Sequence, residues 1–160
     1  MADDQPTPED IAAWVAGREG PRLWLNATGV AIDGLGIVIL GAPGSGKSTL
    51  ALELLSLGAS LIADDGLWVA TDSDPPTVAR ATGVPDLIEA RGIGLLHAGV
   101  TVTDVPLALL VDLDHSESRR LPPRRLVAVG NALCPLIRGA GLSTLAPAIL
   151  LLARHGRADV

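Results

Sequence analysis

The ten residues GAPGSGKSTL, Gly41–Leu50, constrain this chain more than any other stretch. They fit G-x-x-x-x-G-K-[ST], a loop whose backbone N–H groups wrap phosphate oxygens while its lysine meets the β and γ phosphates and its hydroxyl takes Mg²⁺. Such a loop has its meaning only between a strand that runs into it and a helix that leaves it. Gly36-Ile37-Val38-Ile39-Leu40 is a short β-branched run, and Ser48 to Leu57 carries leucines at 50, 52, 54, 55 and 57 among good helix formers. The pattern therefore predicts strand, phosphate loop and helix, with Gly41-Ala42-Pro43-Gly44-Ser45-Gly46-Lys47-Ser48-Thr49 as the nucleotide-binding residues. Gly41, Gly44 and Gly46 permit close backbone approach, and Ser48 is the expected Mg²⁺ ligand. Lys47 is the single lysine beside eleven arginines, kept where a compact ammonium must reach phosphate. The competing reading is a plain glycine-rich turn in an apolar protein. Neither reading identifies a substrate.

Composition narrows the partners. A chain of 160 residues is most simply one domain, and 48% apolar residues mark it as globular. A net charge of −6 argues against nonspecific nucleic-acid binding, which needs a basic footprint. Three tryptophans are the only aromatics, too few for a single-strand stacking platform. The single Cys134 excludes an internal disulfide and suits a reducing cytoplasm, with a buried small hydrophobe as its ordinary role. MADDQPTPED has neither the basic nor the apolar region of a secretory signal. The longest apolar stretch, near Gly139 to Ala153, is interrupted by Gly141 and Pro147 and is too short to span a bilayer. A cytoplasmic protein without a membrane or nucleic-acid partner is expected. His97, His115 and His155 lack neighbours at zinc-ligand spacing.

Along the chain, residues 1–20 are acidic and read as an N-terminal arm with a short helix from Pro8 to Ala16 capped by Thr7; residues 21–160 form one domain. Ala27–Ile32 and Leu35–Leu40 flank Asp33-Gly34, a two-residue hairpin signal. Gly58 caps the loop helix, and Ser60–Ala63 reads as the next buried strand. Thr77–Ala81 is a short strand or connector, Pro106–Leu113 a buried strand, and residues 114–125 a loop. Leu126–Ala128, Leu133–Ile137 and Ala148–Ala153 are read as short strands.

Two sets of charged residues accompany the loop. Asp64-Asp65 closes the strand after the loop helix, where a phosphate-loop fold needs acid to face Mg²⁺ and the γ phosphate. Side chains alternate along a strand, so the pair points to opposite sides unless the chain has begun to turn, and one can serve the metal while the other serves the nucleophile. A solvated Asp-Asp-Gly turn is the alternative. Glu89 and Arg91 share one face of an apolar stretch with Gly92 and Gly94, for which a simple ion pair at a strand edge is the alternative.

Taken together, GLGIVILGAPGSGKSTLALELL (34–55), LIADD (61–65), IEARGIGLL (88–96) and RL (120–121) resemble the catalytic domain of HPr kinase/phosphorylase, a bacterial family that phosphorylates a serine of the carrier protein HPr. The resemblance covers about residues 22–125, and its spacing of the aspartate pair and E-x-R-G-x-G are far more particular than the loop alone. It implies an α/β fold, a P-loop-containing HPr kinase-like domain with a mostly β core around the phosphate-binding loop and helix. It implies ATP and Mg²⁺ as cofactors, with Lys47 on phosphate and Ser48 and Glu89, beside Asp64, at the metal. Asp65 matches the acid that acts as base for phosphorylation and as acid for the reverse. Arg91, Gly92 and Gly94 match the signature loop, and Arg120 an arginine implicated in catalysis. Asn26, in LNATG, stands where the family has histidine, so this catalytic-site contact keeps hydrogen bonding but cannot accept a proton near neutral pH. The resemblance further implies an HPr-like phosphocarrier partner, a role in phosphotransferase signalling and carbohydrate regulation, and a homo-oligomer, in the family a hexamer. RLVAVGNALCPL shows no clear counterpart of the family's dephosphorylation element, which favours the kinase direction. A nucleotide-binding module that transfers nothing, motivated by Asn26, and a P-loop kinase for a small molecule stay open.

Overall fold

A computed structural model describes residues 5–158. From the N-terminus it runs β1 (Glu9–Asp10), a 3-10 turn (Ile11–Trp14), β2 (Val15–Glu19), β3 (Arg22–Leu25), β4 (Thr28–Ile32), β5 (Leu35–Leu40), α1 (Lys47–Ser56) and β6 (Ser60–Ala63). There follow β7 (Leu67–Ala70), β8 (Thr77–Ala79), β9 (Leu87–Ala90), β10 (Gly94–His97), β11 (Val105–Asp112), β12 (Arg125–Val129), β13 (Ala132–Arg138) and α2 (Leu145–His155). The mostly β core around one loop and helix is the fold class that the sequence implied.

Eleven strands join in one sheet that folds on itself. Its first part runs β6-β4-β5-β11-β13-β12-β1, and its second runs β2-β3-β7-β8 and rejoins the start of β11 through Val105 and Pro106. The two parts enclose one apolar cluster, with Leu25, Val38, Leu40, Ile62, Val69 and Leu110 among its members. On the other side of the first part, Ile37, Ile39, Leu61, Leu109 and Val111 meet Leu50 and Leu54 of α1 and Ile149 of α2. Successive residues of β5 thus enter opposite clusters, which is why GIVIL reads as an unbroken apolar run: both faces of the strand are covered. Asp33 and Gly34 both hold positive φ, 50° and 79°, and close the β4–β5 hairpin as expected.

Strand direction positions the site. β5 is parallel to β11, and β11 to β13; β6 runs the same way as β5, because both are antiparallel to the intervening β4. The carboxyl ends of β5, β6 and β11 therefore share one edge, where the phosphate loop, Asp64-Asp65 and Asp112 emerge together.

Two local readings need correction, and some strands went unread. The helix expected over Pro8–Ala16 is only a 3-10 turn capped by Asp10, whose carboxylate accepts from Ala12 N–H at 2.9 Å, and the flanking residues pair as strands with β12 and β3. Val15 and its neighbours pair with β3 there, across a register shift between Val15 and Gly17, which offers more than a marginal short helix. Ala148–Ala153, read as a strand, lies inside α2; its leucines and alanines are good helix formers, and Pro147 falls in the first turn, where its missing N–H costs nothing. Leu67–Ala70 is a strand that the sequence reading passed over. Cys134 is buried as expected, and desolvation pushes its thiol up to about 12.

Candidate active site

The loop after β5 turns back tightly before α1. Ser45 N–H donates to Ala42 O at 3.0 Å, and a Cβ on Gly41 would fall 2.2 Å from Ser45 Oγ and 3.0 Å from its Cβ, so any side chain there would displace Ser45. Lys47 opens α1 and is buried, 8% exposed, with Nζ donating to Gly41 O at 2.7 Å and Ala42 O at 3.3 Å. Its ammonium is thus curled over the mouth of the loop with only carbonyls as partners. A cation, unpaired helix N–H groups and the positive end of a ten-residue helix converge on one point, which favours a phosphate.

The paired aspartates part company. Asp64 Oδ1 accepts from Ser48 Oγ at 2.7 Å and from Thr28 Oγ1 at 3.0 Å, and Oδ2 accepts from Glu89 N–H at 3.2 Å. One carboxylate therefore ties α1, β4 and β9 to the end of β6. Asp65 has left the strand: its φ is 59°, its N–H donates to Thr28 Oγ1 at 3.2 Å, and its side chain is exposed.

The β9–β10 hairpin brings in the second charged set. Ile88 is buried in the α1 cluster, and alternation turns Glu89 to the other face. Glu89 and Arg91 line a cleft of about 260 Å³ together with Gly44, Gly46, Lys47, Ser48, Asp64 and Asp65. Among the described residues no ion pair joins Glu89 to Arg91. Gly92 falls in the turn after Arg91, and Gly94 opens β10. A second cavity of about 420 Å³ lies on the other flank of Lys47 and Asp65, lined by Trp14, Asn26, Gly41, Ala42 and Asp114. Asn26, in the bend between β3 and β4, lines this cavity together with Asp65. Arg120 is exposed on the loop after β11 and lines neither cavity.

Two residues escaped the sequence reading. Asp114 accepts from Ala42 N–H with both carboxylate oxygens, at 3.0 and 3.1 Å, and so pins the start of the phosphate loop. Asp112, 1% exposed, accepts from Asp114 N–H at 2.8 Å and lies 2.7 Å from His115 Nδ1. For Asp112 the signal was present: Leu109-Leu110-Val111-Asp112 is an apolar run ending in acid, on the strand beside the loop strand.

The cleft suits a hard cation with phosphate. The Ser48 hydroxyl and Asp64 carboxylate are in contact, and Glu89 faces the same space, an all-oxygen donor set. Among the described residues no three acidic, histidine or cysteine side chains form a cage, which is what Mg²⁺ needs least, since it keeps waters and substrate phosphates as ligands.

A glycine-rich loop at the carboxyl edge of a mixed sheet, faced by acids from a second strand and a hairpin, is the arrangement of a phosphate-loop fold. The model of the HPr Serine kinase C-terminal domain matches residues 21–115, and the chain belongs to that family. Every proposed site residue except Arg120 falls inside this span. Curated relatives include the HPr kinase/phosphorylase of Stenotrophomonas maltophilia, 34% identical over 125 residues, which cover 61% of this chain and 39% of that protein. The HPr kinase/phosphorylase of Xanthomonas euvesicatoria pv. vesicatoria is 33% identical with the same coverage. The chain thus spans about 39% of the length of these relatives. Among solved structures, the HPr(Ser) kinase/phosphatase from Coxiella burnetii superposes with a TM-score of 0.69 at 21% identity, over 82% of this chain and 93% of that one, and shares the fold.

Proposed function

We propose that this chain is an ATP- and Mg²⁺-dependent serine kinase whose acceptor is an HPr-like phosphocarrier protein. The observation that carries the reading is the cleft in which Lys47, Ser48, Asp64, Asp65, Glu89 and Arg91 converge, in a family of this name. On this reading the N–H groups of the loop and Lys47 hold the nucleotide phosphates, and Ser48 and Glu89, with Asp64 behind Ser48, hold the divalent ion, which offsets phosphate charge. The exposed Asp65 takes the proton of the acceptor hydroxyl as that oxygen bonds to the γ phosphorus and the bond to the ADP oxygen breaks. Arg91 stabilises the charge that develops on the transferred group.

A protein acceptor is favoured over a metabolite by the rim. Ile93 and Leu95 are 78% and 68% exposed on the hairpin that carries Glu89 and Arg91, an apolar surface beside the reacting groups. A cytoplasmic location is part of this proposal; of the described helices, none is long and apolar enough to cross a membrane. By likeness to the family the working unit is a homo-oligomer. A second reading, nucleotide binding without transfer, is favoured by Asn26, an amide that cannot take a proton in the cavity beside Asp65.

Labelled ATP with Mg²⁺, the protein and HPr separates the readings. Label on an HPr serine is the expected outcome. Bound nucleotide with no transfer would favour the second reading, and label on small metabolites alone would overturn the protein acceptor.

A further inference from the structure

The turn that presents Asp65 leans on a side chain to which the proposed chemistry assigns no part. Trp24 in β3 pairs directly across the sheet with Trp68 in β7, the rings 4.9 Å apart at 68°, and the Arg22 guanidinium lies 4.2 Å over the Trp68 ring. At the free end of this stack the Trp24 ring edge closes on Gly66. A Cβ built on Gly66 would lie 2.5 Å from Trp24 Cζ2 and 3.0 Å from Cη2, so the residue after Asp65 has no room for a side chain. Gly66 has φ 149°, and its N–H donates to Ala27 O at 2.7 Å.

Asp65 itself sits in the left-handed region, which aspartate enters more readily than most residues. Among the described residues its carboxylate takes no hydrogen bond, so backbone restraints alone aim it. Those restraints are the Thr28 hydroxyl on Asp65 N–H, the Ala27 carbonyl on Gly66 N–H, and the indole wall against the Gly66 α carbon.

We propose that Trp24 is a positioning residue for phosphoryl transfer: its indole, braced by Trp68 and Arg22, wedges the Asp64-Asp65-Gly66 turn so that Asp65 faces the reacting phosphate. The proposal rests on the reading of Asp65 as the proton acceptor. It differs from an ordinary packing role in what it disturbs. On that reading the nucleotide is held by the loop and α1, whereas the Trp24 ring edge packs on Gly66, so loss of the wedge should slow transfer without weakening nucleotide binding.

The test uses Trp24→Leu and Trp24→Phe in the whole chain, well below the Tm of each variant. Transfer to HPr is measured at saturating Mg-ATP, nucleotide Kd in parallel, and hydrogen exchange at the Gly66 amide. For Trp24→Leu we expect kcat to fall by about 10- to 100-fold, the order that a small misplacement of a reacting group costs. The Kd should stay unchanged, Gly66 exchange should quicken, and Trp24→Phe, whose ring ends short of the Cζ2 and Cη2 atoms that close on Gly66, should recover only part of the rate. An unchanged kcat with a lowered Tm would show mere packing and overturn the proposal, as would a Kd that weakens in step with kcat. If the natural sequence fails to phosphorylate HPr, it is the kinase reading that falls, and Gly66 exchange decides the wedge alone: unchanged exchange in Trp24→Leu overturns it, faster exchange supports it. Should Trp24→Leu not fold, Trp68→Leu, which removes the brace and spares the wedge, takes its place in the same measurements with the same expected and overturning outcomes.

Discussion

Asp64 and Asp65 are chemically identical neighbours with opposite surroundings. Asp64 spends its oxygens on Ser48, Thr28 and the Glu89 amide; Asp65 keeps its carboxylate open to the cleft. Asp64→Asn would replace an acceptor oxygen with an N–H₂ facing donors, so Mg²⁺-dependent ATP affinity should fall about tenfold or more, the cost of one broken charged hydrogen bond; titration calorimetry with and without Mg²⁺ reads it. Equal affinity would show that Asp64 orders nothing the nucleotide uses. Asn26 makes a second prediction. It shares a cavity with Asp65 and Lys47, so Asn26→His would place there a group that titrates near ~6.5. Transfer should then acquire a pH dependence between about 5 and 8 that the natural sequence lacks. Superimposable pH–rate profiles would mean that Asn26 is an edge residue with no view of the phosphate. Spacing alone identified the acidic pair. It did not tell which acid stays free, because alternation presumes a straight strand and the chain has already turned at Asp65, φ 59°.

Among the elements, β4 is the hinge of the site. Thr28, wholly buried at its start, donates to Asp64 and accepts from the Asp65 amide with one hydroxyl. Thr28→Val keeps the shape and removes both bonds, leaving buried polar groups unpaired, so chemical denaturation should show a loss of roughly 1–3 kcal/mol. A loss below about 0.5 kcal/mol, the level of an ordinary surface substitution, would show that the hydroxyl is dispensable. The elements nearest the site were the most legible. The β4–β5 hairpin, α1, β6 and β11 each carry a local signal: Asp33-Gly34, the loop itself, a buried apolar run and its acid. What stayed illegible was set by distant partners. Val15–Glu19 is a strand because Arg22–Leu25 lies beside it, whereas α2 is misread because a short apolar run is ambiguous between strand and helix by periodicity alone. Asp114 gave no local signal, since its target, Ala42 N–H, lies 72 residues away.

At the scale of the molecule, the charged loop between β11 and β12 is latched by Glu117 and Arg125. Their side chains are 9% and 16% exposed, with Arg125 Nε donating to Glu117 Oε2 at 2.9 Å and Nη2 to Oε1 at 3.1 Å. The hydrogen bond from Arg125 holds the Glu117 carboxyl below its ordinary 4.5, against the opposing pull of burial. A carboxyl with a depressed folded value binds its proton more readily when unfolded. Its stabilisation is therefore complete above about 4.5 and is lost as pH falls through the lower folded value. Thermal melts from about pH 6 down to pH 3 should show the natural protein losing Tm more steeply than Glu117→Gln in the acid half of that range. Parallel curves would show the latch to be energetically silent.

On the proposed function, one cleft moves a phosphoryl group from nucleotide to a protein serine, with Asp65 as its proton acceptor. Phosphoserine formed on HPr is the most direct reading of it, compared for the natural sequence, Asp65→Asn and Lys47→Ala under saturating Mg-ATP. The account predicts phosphoserine from the natural protein and a rate lower by about 10² to 10⁴ for Asp65→Asn with nucleotide affinity retained, the usual share of a positioned base. It predicts no transfer and no nucleotide affinity for Lys47→Ala. Equal rates from Asp65→Asn and the natural sequence, or no phosphoserine from a natural protein that binds Mg-ATP, would contradict it.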